Sequence, residues 1–375
     1  MRTKLRYRPS LRTPRTSALR VRILLCAVPL LGFACSPGAT TPEDEDPTQG
    51  ALRTYSMGWA AVPPRLETEL LLRMIDSMAV VSEIAIVQQG VPWEPLLAGA
   101  PVDSLVEDVA QLTDFMAARD LQLIFLVDPL DGLDRTREDP GLTELGRSIL
   151  EPEIRAMHDD WVLRIATRVR PAYFGLASEV NTLAALGDGD LNAEITDMIN
   201  TLSPQIREIS PATSVFVSFQ ADQAHGRLGQ TGGIDHFALI SDYDIDALGL
   251  SSYPVFGFDD PSDIPTDYFQ AFDDATELPL LFVEGGWSSE DVPWSTGTPA
   301  QQVEFFVRYE ALLDAVSAEV WVMLTFADLD IAAWGLDPER TTGLSNFASM
   351  GIVDENLQRK PSYAEWERIF MRPRR

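Results

Sequence analysis

From Thr54 onward the chain alternates between two hydrophobic patterns. Short, nearly continuous apolar runs recur at Tyr55–Trp59, Glu83–Val87, Leu121–Val127, Ala172–Ala177, Ser214–Phe219, Ala247–Ser251, Leu278–Val283 and Val320–Phe326. Between them apolar residues fall at helical spacing, as at Leu105, Val109, Leu112 and Met116. Ahead of one such stretch, Thr298-Pro299-Ala300-Gln301 offers an N-cap, a proline at the first helical position and a capping-box glutamine. Apolar runs without strict alternation predict strands buried on both faces, and strands separated by helices predict a parallel sheet covered on its outside. Eight such units predict a single-domain α/β chain, a (β/α)8 TIM barrel over 53–375. An open doubly wound sheet would place a Gly-rich phosphate-binding turn after its first strand, and Trp59-Ala60-Ala61-Val62-Pro63-Pro64 contains none.

The start of the chain follows a different pattern. Arg2, Lys4, Arg6, Arg8, Arg12, Arg15, Arg20 and Arg22 precede the apolar run Ile23–Phe33, with no acid among them. A basic segment followed by an apolar one too short to span a bilayer predicts a signal peptide over 1–35. Gly32-Phe33-Ala34-Cys35 resembles the cleavage box of bacterial lipoproteins, with Leu31 one position further from the cysteine than usual. That resemblance implies lipidation at Cys35. Residues 36–52 are acidic and rich in proline and glycine, the composition of a tether. The expected location is therefore outside the cytoplasm, as a cell-envelope lipoprotein or an extracellular protein, touching membrane through the lipid alone. Cys26 and Cys35 are the two cysteines, so the exported domain has no thiol pair for a disulfide or a metal site.

Charge narrows the partners. Lys+Arg number 29 against 57 Asp+Glu, a net charge of -28. Subtracting the eight basic leader residues (-28 - 8) leaves -36 for the mature chain. Such a field repels phosphate backbones, and nucleic acid is excluded as a partner. An acidic surface of this kind keeps an exported protein dispersed.

Chemistry in a barrel gathers at the C-terminal ends of the strands. The fourth run leads into Ser178-Glu179-Val180-Asn181, and the seventh into Glu284-Gly285-Gly286-Trp287. Strands four and seven face one another across a barrel mouth, so Glu179 and Glu284 can approach each other although they lie 105 positions apart. Two carboxylates about 5–5.5 Å apart are what a retaining glycosidase uses, one as nucleophile and one as acid and then base. A single strand-end glutamate could instead cap the next helix or pair with an arginine.

With these segments in place, the chain resembles glycoside hydrolase clan A, the retaining (β/α)8 glycosidases, over most of 54–370. Asp246–Pro254 is similar to the strand-six segment of the endo-galactanase and related families, whose tyrosine corresponds to Tyr253. Pro279–Trp287 looks like their nucleophile segment, Trp321–Phe326 fits strand eight, and Lys360-Pro361-Ser362-Tyr363-Ala364-Glu365-Trp366 looks like their closing segment. The resemblance implies that Glu284 is the nucleophile oriented by Tyr253, and that Glu179 is the acid/base with the higher proton affinity. The clan carries asparagine immediately before its acid/base, and here that residue is Ser178, with Asn181 following the glutamate instead. A serine hydroxyl lacks an amide's reach. The alternative function is therefore a non-catalytic surface lipoprotein that binds sugar or a partner in the barrel cleft.

Trp59, Trp93, Trp287 and Trp334 fall at or beyond strand ends and are candidate platforms for sugar rings, with Ser178 and Asn181 as further substrate contacts. Gln88, Gln89, Asp128, Gln220, Asp222 and Asp328 occupy other strand ends and could bind hydroxyls. His158, His225 and His236 show no metal-binding spacing and read as loop or surface residues, with His225 able to reach the cleft. No metal or cofactor is expected, and no G-x-S-x-G elbow occurs. The expected partner is a polysaccharide or oligosaccharide.

Overall fold

The computed structural model describes residues 52–229 and 231–375. The basic leader, Cys35 and the linker as far as residue 51 lie outside the described residues. Eight parallel strands close into one barrel in chain order. They are β1 (Ser56–Ala60), β2 (Ile84–Gln89), β3 (Gln122–Val127), β4 (Tyr173–Gly175), β5 (Ser214–Gln220), β6 (Ala247–Ser252), β7 (Leu280–Gly285) and β8 (Val320–Met323). Each predicted run yields one strand. β4 and β8 are shorter than their runs, because the chain turns out of the sheet towards the mouth at Leu176 and Leu324.

Alternation along the strands divides the apolar residues into two layers. One set, including Ala60, Ile86, Leu126, Phe216, Val283 and Val322, packs within the barrel. The other, including Met57, Trp59, Val87, Phe125 and Phe282, packs against the helices. Phe216 is the bulkiest residue inside, and it needs glycines beside it: a Cβ on Gly175 would lie 2.7 Å from its ring and one on Gly249 2.8 Å. Burying a side chain of this size contributes about 1.5–3 kcal/mol, so the interior is a packed core rather than a pore.

Helices Thr68–Met78, Val102–Ala117, Pro152–Val169, Gly189–Ile209, Gln270–Ala275, Pro299–Ala315 and Pro361–Phe370 form the outer layer. Val102–Ala117 buries Val109 and Met116, as its spacing predicts. At the start of Pro299–Ala315, Thr298 Oγ1 accepts from the Gln301 backbone N–H at 3.2 Å, and donates to Gln301 Oε1 at 3.0 Å. The glutamine therefore meets the cap hydroxyl rather than the cap N–H. The closing helix Pro361–Phe370 lays Trp366 on Trp59 with ring centroids 4.4 Å apart, and its indole N–H donates to Val81 O at 2.9 Å. Among the described residues no helix is long and apolar enough to cross a membrane.

Candidate active site

The two glutamates are aimed into the mouth by two departures from regular geometry. Glu179 follows β4 in the left-handed region, with φ 51° and ψ 41°, before the short helix Val180–Leu186 begins. That conformation costs a non-glycine residue about 1–2 kcal/mol. It is held by the Glu179 N–H, which donates to Ser218 Oγ at 2.9 Å, and by Thr182 N–H donating to the Glu179 carbonyl at 2.8 Å. Ser251 Oγ donates to Glu179 Oε1 at 2.6 Å.

Glu284 lies inside β7 rather than beyond it. Leu250 pairs with Phe282, but Ser251 pairs with Glu284, so one extra β7 residue is accommodated at Val283. Because Val283 belongs to the barrel interior, simple alternation would send Glu284 outward to the helices. The bulge re-aims it. Ser251 thus stands opposite Glu284 in the sheet while its hydroxyl holds the Glu179 carboxylate. Tyr253, at the end of β6, donates its hydroxyl to Glu284 Oε1 at 2.6 Å.

Behind Tyr253 lies a buried carboxylate. Asp222 accepts from the Tyr253 N–H at 2.6 Å, from Tyr268 Oη at 2.7 Å and from Ser252 Oγ at 3.4 Å. Burial pushes its pKa up to about 6 against the pull of these donors. Burial also raises the pKa of Glu284, reinforced by the charge of Glu179 and opposed by Arg135 and by the Tyr253 hydroxyl. Desolvation therefore makes Glu284 hold a proton more strongly in the free protein than an ordinary carboxylate does.

Arg135, in the loop after β3, is a site residue that the sequence did not announce. Its guanidinium hydrogen-bonds Asp128, and its Nε lies 3.5 Å from Glu179 Oε2, too long for a good hydrogen bond but close enough for an ion pair. Both partners of the Arg135–Asp128 pair are over nine-tenths buried. Gln88, exposed at the end of β2, donates to Asp128 Oδ2 at 3.1 Å and to Ser178 Oγ at 3.4 Å. An amide therefore does stand beside Ser178, supplied from another strand.

The sequence matches no family model and no curated protein. Solved structures are similar in fold. An exo-β-1,4-mannosidase from Opitutaceae bacterium strain TAV5 superposes with a TM-score of 0.64 at 15% identity over 87% of this chain, which spans 61% of that protein's length. A GH5_18 protein from Bifidobacterium longum subsp. longum, solved with Manβ1-4GlcNAc, gives 0.63 at 12% identity over 86% of this chain and 80% of its own. One from Streptomyces cattleya, solved with GlcNAc, gives 0.62 at 17% over 86% of this chain and 83% of its own. The chain has the barrel fold of the clan A glycosidases.

Within this barrel, several of the proposed sugar contacts are corrected. Trp59, Trp93 and Trp287 are at most 3% exposed. Trp59 packs between barrel and helices, as alternation from inward-facing Ala60 requires. Trp93 donates its indole N–H to Asp139 Oδ2 at 3.0 Å, and Trp287 tilts against Phe305 with centroids 5.7 Å apart. Trp334 remains half-exposed in the loop after β8, its indole N–H on Pro64 O at 3.0 Å. Asn181 is fully buried and spends its amide on the backbone of Gln220 and on His236 Nδ1.

The other polar candidates serve mainly as scaffold. Gln220 caps the helical turn Ala221–Ala224, and Asp328 is held by Lys360 Nζ at 2.8 Å and by the Gly351 N–H at 3.0 Å. The lysine of the closing segment thus anchors the loop after β8. His158 is buried within the helix Pro152–Val169 rather than in a loop or at the surface, and His236 is a loop residue but a buried one. The ring of His236 is placed to donate from Nε2 to Thr231 O at 2.9 Å while Nδ1 accepts from Asn181. His225 packs on Tyr268, with centroids 4.6 Å apart, beside a cleft of about 270 Å³ that it shares with Arg227 and Asp267. Gln89 is half-buried at the β2 end. Among the described residues no group of three or more His, Cys, Asp or Glu could hold a metal ion.

Proposed function

We propose that this chain is an exported, lipid-tethered retaining glycoside hydrolase that cleaves O-glycosidic bonds by double displacement. The observation that carries the reading is the Tyr253–Glu284 hydrogen bond, with Ser251 linking that strand to Glu179. In the first step Glu179 gives its proton to the glycosidic oxygen, and the Glu284 carboxylate attacks the anomeric carbon to form a glycosyl ester as the aglycone leaves. In the second, Glu179 as carboxylate takes a proton from water, which attacks the same carbon and frees Glu284. Positive charge developing at the anomeric carbon favours ionised Glu284, so substrate itself counters the proton affinity that burial imposes. The similarity to proteins solved with Manβ1-4GlcNAc and GlcNAc makes β-mannosides the first substrates to screen. The basic leader and the Cys35 box support export and anchoring.

Glu284→Gln is expected to abolish turnover while retaining glycan binding. Proton NMR of the first-formed anomer of the product tests the mechanism: retention supports it, and inversion refutes the nucleophile role of Glu284. The Arg135–Glu179 contact favours the second reading, a sugar-binding protein without catalysis. Binding of glycans with no Glu284-dependent turnover would decide for it.

A further inference from the structure

Trp294, in the loop after β7, is a large apolar residue left 63% exposed. It lies in a tight turn closed by Val292 N–H donating to Ser295 O at 2.9 Å and Ser295 N–H donating to Val292 O at 3.3 Å. Its own N–H donates at 2.9 Å to Oδ1 of Asn346, a fully buried residue of the loop after β8. The backbone is fixed while the indole is left to solvent. Leaving so large an apolar surface wet is unfavourable unless something covers it.

The indole also ends a line of rings that starts in the candidate active site. Tyr253, whose hydroxyl meets Glu284, touches Phe347 with centroids 5.1 Å apart. Phe347 meets Phe256 at 5.7 Å and 89°, and Phe256 meets Trp294 at 5.9 Å and 72°. These residues come from the loops after β6, β7 and β8, all on the mouth of the barrel. A perpendicular contact on Phe256 leaves an indole face open. Asp259, Glu290 and Asp291, in the same loops, are exposed acids, which disfavour an anionic occupant.

We propose that Trp294 with Phe256 forms a subsite for a neutral sugar ring of the same glycan, beyond the unit that sits over the glutamates. The inference rests on the glycosidase reading and adds chain-length preference to it. Flat indole faces take the C–H faces of pyranose rings, and a fixed backbone limits the ordering cost of binding.

The test uses the full domain as a Glu284→Gln variant, with β-1,4-mannobiose and β-1,4-mannotetraose as probes, and cellobiose and cellotetraose alongside. Six of the eight tryptophans are at most 3% exposed, so acrylamide quenching of fluorescence reports on Trp294 and Trp334. The expected result is that a tetrasaccharide binds roughly tenfold tighter than its disaccharide and shields the fluorescence. Trp294→Ala should lose both the shielding and the length preference, and Trp294→Phe should keep most of the preference. A length preference that survives Trp294→Ala overturns the subsite. So does a Trp294-dependent dimer in sedimentation, which would make the indole a self-association contact. If unmutated protein hydrolyses the probes and Trp294→Ala does so with unchanged KM at every length, the subsite fails while the glycosidase reading stands. If no oligosaccharide binds and none is hydrolysed, both fail.

Discussion

Replacing Arg135 by methionine keeps the apolar stem and removes the one guanidinium shared by the mouth carboxylates. The Asp128 side chain, 6% exposed, would keep Gln88 and the Leu130 N–H as donors but lose its counter-charge. Removing one partner of a buried ion pair costs about 3–5 kcal/mol, because the remaining charge stays desolvated. The pH dependence has a definite sign. Arg135 is among the influences that lower the proton affinity of Glu284, whose pKa burial and Glu179 already raise. Without it that pKa rises further above the unfolded value. A carboxylate raised in this way binds more protons folded than unfolded, so it favours folding below the unfolded pKa and loses that contribution as pH rises to the folded one. Urea unfolding of Arg135→Met should therefore show about 3–5 kcal/mol of lost stability at pH 8 and a smaller loss at pH 5. A loss below about 1 kcal/mol at pH 8, or the same loss at both values, would refute the buried-charge argument.

Tyr253→Phe removes only the hydroxyl that meets Glu284 at 2.6 Å. A hydrogen bond to a charged group contributes about 1.5–3 kcal/mol, so kcat/KM should fall roughly 10- to 150-fold. The acid limb of its pH profile should also move upward, since the hydroxyl holds the Glu284 pKa down; an unmoved limb means the bond does not serve the ionised form. Asp222, with a pKa pushed up to about 6, makes the unmutated protein lose stability as pH rises from the ordinary aspartate value to that one. Asp222→Asn should remove its share of this slope, worth about 3 kcal/mol between pH 4 and 7, leaving the share of Glu284, and unfolding measured across that range would show it.

The barrel was legible because its strands are buried on both faces, so eight apolar runs stand out without regard to register. Glu179, Glu284 and Tyr253 stand out in the sequence because each follows or ends an apolar run, but the bulge and the left-handed turn that aim the two acids have no signal there. The tryptophans were not legible. Whether Trp59 faces the mouth or the helices depends on a one-residue phase, and Trp287 lies beyond a bulge that no pattern of residue types announces. Arg135 was missed because a loop position says nothing about where its guanidinium reaches. In Asp131–Glu138 the only hint is a pair of arginines, at 135 and 137, in an otherwise acidic stretch. Trp294 sits nine residues past β7 and becomes interesting only once Asn346 and Phe256 are seen to hold and face it.

The same locality explains why Ser251 matters more than its size suggests. In a regular sheet, β6 and β7 would present Ser251 opposite Val283, and Glu284 would leave the mouth. The bulge moves the pairing by one residue, which puts the serine beside Glu284 while its hydroxyl is spent on Glu179. Glu179, in turn, reaches that hydroxyl from a left-handed backbone that Ser218 of β5 secures. Four consecutive strands, β4 to β7, thus contribute one polar group each to the placement of two carboxylates. A core that needed only stability would have no use for a strained turn, a register shift and two serines to keep two acids within reach of each other, since each is unfavourable beside an apolar alternative. The arrangement is better explained by chemistry that needs both acids than by the packing of the barrel.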